Sequence, residues 1–375
     1  MRPSPPTAVL LISPEPWEAH SVSKHHYARS LARRGRSVLF VDPPDPSLRE
    51  LTLSPIPDEP GIRLVQGPSL LPGLRFLPAS LRRWLERRWL QRLERLAGAR
   101  VSVVWLFENS RFYDLSFAGD RLRIYHQVDL NQNFHPALAA RTADICFCTT
   151  ELIRQQLSPH HRCVYRLHHG LAPVYESLQL AAIQRQRLAA PGVHAAYVGN
   201  LDMAYLDHDL LVSLIKAHPE VQFHFVGACS PDSFLRRHLT GSQNVYWWGK
   251  VTSSLIPRIL ECVDLQLVCY QASYHADQAS PHKFMEYLAS GRTIVATYTG
   301  EYSQDADLLA MSENGSNDGY IALFESVLQQ LDHWNSPQRM AARQAFAADH
   351  TYERQLQRIE AHLAAECLPS LFSVN

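Results

Sequence analysis

The run Ser280-Pro-His-Lys-Phe-Met-Glu-Tyr-Leu-Ala-Ser-Gly291 constrains the fold more than any other part of the chain. It reads as one short helix with both ends specified. Ser280 suits the N-cap, where its hydroxyl accepts from a free N–H of the first turn. Pro281 suits the first helical position, which needs no N–H. Gly291 suits the stop, where a left-handed residue is wanted. An apolar run, Val263-Asp-Leu-Gln-Leu-Val-Cys-Tyr270, precedes it, and Thr293-Ile-Val-Ala-Thr297 follows at once. Strand, loop, helix, strand is a βαβ unit. Its helix start lies outside the carboxyl edge of a parallel sheet, where free N–H groups and the helix dipole favour a phosphate.

A chain of 375 residues, 46% of them hydrophobic, suits two domains with separate cores. No apolar run reaches the roughly 20 residues of a membrane span. The early apolar stretch Ala8–Ile12 is too short for a signal peptide, and Pro14 and Glu15 close it. These features predict a cytoplasmic protein. Seven cysteines without a Cys-x-x-Cys pair agree. Cys146 and Cys148 share one face of a strand-like run and read as small buried residues. The net charge of zero conceals a division. Residues 1–190 hold 25 Lys+Arg against 16 Asp+Glu, or +9, and residues 191–375 hold 11 against 20, or −9. A basic first half points to an anionic partner. Only Lys24, Lys216, Lys250 and Lys283 are lysines; the other 32 basic residues are arginines.

Short apolar strands alternate with helices through both halves, as in parallel sheets covered by helices. In the first half the strands are Ala8–Ser13, Ser37–Asp42, Ile62–Gln66, Val101–Leu106, Leu122–His126, Asp144–Cys148 and Cys163–Leu167. Residues 43–60 read as a proline-rich loop. The pattern restarts at His194–Gly199 and continues with Val221–Gly227, Asn244–Gly249 and the strand at 263. The polar segment Leu171–Pro191 reads as the boundary. Domains are therefore expected at 1–175 and 192–350. Residues 351–375 are expected to form a terminal helix and tail, with Leu356, Ile359 and Leu363 as its apolar stripe.

The 280–291 motif, with its Ile-Val-Ala-Thr strand, resembles the nucleotide-sugar motif of GT-B-fold glycosyltransferases, nearest to glycosyltransferase family 4 and its group 1 relatives. Tyr197-Val-Gly-Asn200, Val245-Tyr-Trp-Trp-Gly-Lys-Val251 and Thr149-Thr-Glu-Leu-Ile153 resemble further family segments in the family's order. The resemblance implies an α/β fold of two Rossmann-like domains facing a central cleft. It implies an N-terminal acceptor domain, a C-terminal donor domain and often a terminal helix that crosses back to the first domain, while the stripe at 356–363 suits packing on its own domain equally. It also implies transfer of a sugar from a UDP- or GDP-linked donor to a cell-surface glycan or lipid-linked acceptor, with no cofactor and no metal. Glu286 would bind the ribose hydroxyls, and Ser280, Pro281, His282 and Lys283 would face the diphosphate. Gly199, Asn200, Lys250 and Val251 would complete the donor site. The plainer reading of Lys283 and Glu286 is a surface pair one turn apart.

Two departures stand out. Many relatives carry a second Glu eight residues before the ribose Glu, and here position 278 is Gln. Many have basic residues after the first Val-Gly of the second domain, and residues 199–207 here have none. Lys250, Lys283, His282 and Arg292 are the substitutes on hand. For the acceptor side the candidates are Asp129 and then His126. Both follow a strand and are expected to reach the cleft as a general base. The alternatives are a turn residue for Asp129 and a core histidine for His126. His25 and His26 begin a helix near the same place. No Gly-x-Gly-x-x-Gly follows the first strand, which argues against a dinucleotide oxidoreductase.

Residues 81–96 carry six Arg against two Glu. Leu81, Leu85, Trp89, Leu93 and Leu96 form an apolar stripe at helical spacing. Such a helix suits an anionic membrane surface, with Arg82, Arg83, Arg87 and Arg88 as contacts, or equally a covering helix with a solvated basic face. The membrane reading puts the protein at the inner face of the cell membrane. No nucleic-acid partner is expected. A non-catalytic scaffold and a GT-B-fold epimerase or hydrolase are the other function classes compatible with the motifs.

Overall fold

A computed structural model of the chain describes residues 6–18, 21–70, 73–130, 134–173, 180–273, 282–305 and 307–373. The chain divides into two compact units. One comprises Met1–His169 with Tyr352–Asn375, and the other Gly170–Thr351.

The first unit is built on eight strands: β1 (Thr7–Ile12), β2 (Ser37–Val41), β3 (Thr52–Pro55), β4 (Ile62–Gln66), β5 (Arg100–Leu106), β6 (Leu122–Gln127), β7 (Ile145–Cys148) and β8 (Val164–Arg166). Their order is β3-β4-β2-β1-β5-β6-β7-β8. All pair in parallel except β3 with β4. Val9 to Ile12 are fully buried, as expected of a central strand covered on both faces. The residues expected to be a loop at 43–60 contain β3. An edge strand needs only one partner, so Pro55 and a weak apolar pattern do not prevent it. Cys146 and Cys148 are buried, and their thiols donate to the carbonyls of Ala140 and Tyr165.

The helix Ala79–Ala97 corrects the expected stripe. Its inward residues are Arg82, Glu86, Leu90 and Leu93, whereas Leu81 and Leu96 are exposed. Arg82 donates to the hydroxyl of Tyr113 at 2.7 Å and to Asp114 at 3.0 Å. A buried acid some thirty residues away has turned the helix so that Arg82 faces in, and Arg82 is therefore no membrane contact. The C-terminal helix Tyr352–Ala365 belongs to the first unit. Leu356, Ile359 and Leu363 are fully buried. Gln355 donates to the carbonyl of His168, and the hydroxyl of Tyr352 donates to Ser23.

The second unit has six strands: β9 (His194–Val198), β10 (Gln222–Val226), β11 (Val245–Gly249), β12 (Leu265–Val268), β13 (Thr293–Ala296) and β14 (Ala310–Met311). Their order is β11-β10-β9-β12-β13-β14, all parallel. The chain builds outward from β9 to one side and then from β12 to the other. The switch point therefore lies between β9 and β12. The segment 171–191, expected to be a linker, contains the helix Ala182–Leu188. Arg187 from this helix donates to the carbonyl of Trp247 and lies over the ring of Trp248.

Candidate functional site

In an open parallel sheet, ligands bind beyond the carboxyl ends of the strands at the switch point. Here β9 and β12 pair only at Leu265–Ala195 and Gln266–Ala196, and the register does not continue to their carboxyl ends. The hydroxyl of Tyr287 stands in for the missing ladder. It accepts from the N–H of Val198 at 2.7 Å and makes a long bond of 3.5 Å to the carbonyl of Leu267.

Tyr287 comes from the helix Lys283–Ser290, which closes at Gly291 with φ +77°. Phe284, Met285, Tyr287 and Leu288 are buried, while Lys283 and Glu286 stay on the partly open face. Ser280, Pro281 and Gln278 lie outside the described residues. His282 occupies the N-cap position and is partly exposed.

The ammonium of Lys283 does not pair with Glu286. It lies 3.8 Å from the ring centroid of Tyr197, which is on β9, and 5.1 Å from that of Tyr270, which follows β12. Among the described residues, no carboxylate lies within ion-pair distance of it. Burial lowers its pKa to about 7, against a smaller upward pull from Cys269 and Glu286. Burial likewise raises Glu286 to about 7, with Lys283 opposing. The surface-pair reading is therefore replaced by two groups held separately at the mouth of the switch point. A cation resting on ring faces keeps its N–H donors available for an anion.

Gly199 closes β9 with φ +144°, and a Cβ there would come 3.3 Å from the Lys283 ammonium. Gly227 closes β10 with the same φ, and a Cβ there would lie 1.9 Å from the carbonyl oxygen of Gly199. The N–H of Gly199 donates to Val226, and that of Gly227 to Gly249. Three neighbouring strands thus end in glycines stitched edge to edge. Lys250 and Val251 follow directly, Lys250 exposed and Val251 half-buried.

The structure therefore brings Gly199, Lys283 and Glu286 to one place, with Lys250 and Val251 two strands along the same edge. Asn200 is spent on its own loop, accepting from the N–H of Asp202. The acids of that loop are also structural. Asp202 accepts from Ser230, and Asp207 caps the helix His208–Ala217. Arg292 sits at the far end of the 283–290 helix and donates to the carbonyl of Glu261, so it is removed from the substitutes. Tyr197, Tyr270 and Gly227 were not singled out from sequence. The repeated Val-Gly at 198–199 and 226–227 was the signal for the glycine pair. The tyrosines read as ordinary strand residues.

In the first unit, Asp129 is exposed beyond β6. Lys24 is buried, ion-paired with Glu15, and also feels the charge of Asp129. His126 is corrected to a core histidine. It is 1% exposed and ringed by Tyr27, Trp105, Phe107 and Phe147. Burial drives its pKa to about 3, so it is neutral at pH 7 and closed to a substrate. His25 packs between Trp17 and Phe40 and His26 stacks on Tyr352, with burial lowering them to about 4 and about 3.

Residues 192–330 match the family profile described as glycosyl transferases group 1. A curated relative, a putative teichuronic acid biosynthesis glycosyltransferase TuaH of Bacillus subtilis (strain 168), is 23% identical over 196 residues. That match takes in 50% of this chain, which spans about half the length (49%) of the relative. A sucrose-phosphate synthase from Thermosynechococcus elongatus has the same fold, with a TM-score of 0.70 at 14% identity over 96% of this chain and 99% of the other. HepE from Anabaena, solved in complex with UDP and glucose, gives 0.66 at 13% identity over 94% and 99%. The chain has the GT-B fold, and the sequence of its second unit resembles the group 1 glycosyltransferases.

Proposed function

We propose that the protein transfers a sugar from a nucleotide-sugar donor to a glycan or lipid-linked acceptor. The observation that carries this reading is the Lys283 ammonium, held on two tyrosine rings at the switch point, one helical turn from Glu286. In the reaction the acceptor oxygen attacks the anomeric carbon, the bond from that carbon to the diphosphate breaks, and the acceptor proton leaves to a base. Lys283 and the start of its helix meet the charge that develops on the departing diphosphate. Glu286 accepts the ribose hydroxyls. Gly199 lets the backbone approach the donor without a side chain in the way. Asp129 is the proposed base on the acceptor side, exposed and beyond a strand end. UDP is the first nucleotide to try, because HepE was solved with it.

The test is a thermal-shift screen with UDP, GDP, ADP, CMP and dTDP on the wild type and on Glu286→Ala. A ligand at a hundredfold excess over Kd stabilises by about 2.7 kcal/mol. The expected result is a clear shift with one nucleotide that is lost in the variant. No shift with any of the five would overturn the donor assignment. Product formed from the matching nucleotide sugar then separates a transferase from a scaffold.

A further inference from the structure

The first unit contains a cavity of about 380 Å3 whose lining includes none of the donor residues. Its volume is within the roughly 300–1,000 Å3 of small-molecule pockets. Leu51, Val65, Leu70, Trp89 and Phe112 supply apolar wall, and Phe76 stands at the edge, 77% exposed. The charged side chains in the wall, Asp42, Arg82 and Arg111, already have partners within the protein. Asp42 accepts from the N–H of Trp17 at 2.8 Å and from Gln66 at 3.1 Å. Arg111 donates to the carbonyls of Asp42 and Ser13. Arg82 has both terminal nitrogens on Tyr113 and Asp114. These bonds already engage the charged groups of the wall, so a sugar or a bare phosphate would have to share them with the protein rather than find them free. A peptide would bring backbone N–H and C=O groups that an apolar wall leaves unsatisfied. A hydrocarbon chain brings neither problem.

The surroundings say what is attached to the chain. Leu81 and Trp84, on the first turns of the helix Ala79–Ala97, are 43% and 50% exposed. The same helix exposes Arg83, Arg87, Arg88, Arg92 and Arg95. It exposes no acid, because Glu86 is buried and Glu94 is bonded to Arg121 at 2.7 Å. A face of this composition attracts an anionic headgroup and seats apolar rings at a lipid boundary. We infer that this cavity holds the hydrocarbon chain of a lipid with an anionic headgroup, and that the guanidinium groups of the adjoining helix hold the headgroup. This extends the acceptor half of the function above without depending on it, since every residue involved lies in the first unit.

The experiment is calorimetric titration of the full chain with dodecyl phosphate, kept below its micelle-forming concentration. Glycerol phosphate serves as the headgroup alone. Ser69→Trp at the exposed rim and Leu70→Trp in the wall both fill the cavity, and circular dichroism and melting report whether each folds. Dodecyl phosphate is expected to bind, glycerol phosphate to bind at least about tenfold more weakly, and each folded filling variant to lose about tenfold. Replacing Arg83, Arg87 and Arg88 with Gln is expected to weaken binding several-fold and flatten its salt dependence. No binding of dodecyl phosphate overturns the inference. So does full affinity in Ser69→Trp, which would put the chain elsewhere. Equal affinity for glycerol phosphate overturns it too, by revealing a free-phosphate site. The nucleotide screen is unaffected by any of these outcomes.

Discussion

Lys283 and Glu286 are costly where they stand, and both costs have a sign that can be measured. Lys283 falls from 10.5 to about 7 in the folded protein. Between those values the unfolded chain binds the extra proton, so this group makes stability rise with pH from about 7 to 10.5. Glu286 rises from 4.5 to about 7. Over that window the folded state binds the extra proton, so stability falls as pH rises from 4.5 to about 7. The pair therefore supports the fold least near neutrality. Subtracting the pH–stability curve of a Lys283→Met, Glu286→Gln double variant from that of the wild type should leave a minimum near pH 7. A flat difference would contradict it. Lys283→Met alone is expected to melt no lower than wild type and yet lose the nucleotide-induced shift, since it removes a desolvated charge together with the phosphate partner. A diphosphate beside Lys283 restores its proton. Binding at pH 8 should therefore take up close to one proton, visible as a buffer-dependent enthalpy in calorimetry. Gly227 is a different kind of residue, needed for shape alone. Its φ of +144° and the 1.9 Å approach to Gly199 predict that Gly227→Ala costs at least about 3 kcal/mol in urea unfolding.

At the level of elements, the helix Ala79–Ala97 shows how a long-range partner overrides an apolar pattern. Counting leucines in 81–96 places Arg82 outside. Asp114 and Tyr113 place it inside. Arg82→Ala should cost about 3 kcal/mol or more, because it strands a buried carboxylate. Glu86 on the same face is fully buried, and among the described residues neither of its oxygens has a hydrogen bond. Burial raises its pKa to about 8 from 4.5. The folded state thus binds the extra proton between pH 4.5 and about 8, and stability from this group is lost as pH rises through 8. Glu86→Gln should match the wild type at pH 5 and be less sensitive to alkali at pH 9, in paired denaturation curves. The 283–290 helix is the contrasting case. Its stop at Gly291 and its strands on either side were legible because each signal is local. The helix at 182–188 and β3 were not, since both depend on a neighbour that the local pattern does not contain.

For the whole molecule, the two sheets are legible as repeated short apolar strands, while the assignment of the last helix is not. The stripe Leu356, Ile359, Leu363 says only that one face must be covered. The contacts with Ser23 and His168 show that the first unit covers it. Removing residues 352–373 should therefore lower the melting of the first unit and leave a nucleotide-sensitive transition from the second, as resolved by calorimetry with and without UDP. Local chemistry along the chain by itself determined the α/β class, most of the strands, the glycine stop and the face shared by Lys283 and Glu286. These depend on periodicity and backbone φ, which act over a few residues. Tertiary structure alone decided that Lys283 leaves Glu286 for two tyrosine rings, that His126 is sealed in the core, and that Arg82 turns inward. Each of those outcomes depends on desolvation and on partners that only folding brings near, and neither is encoded in the spacing of residues along one element.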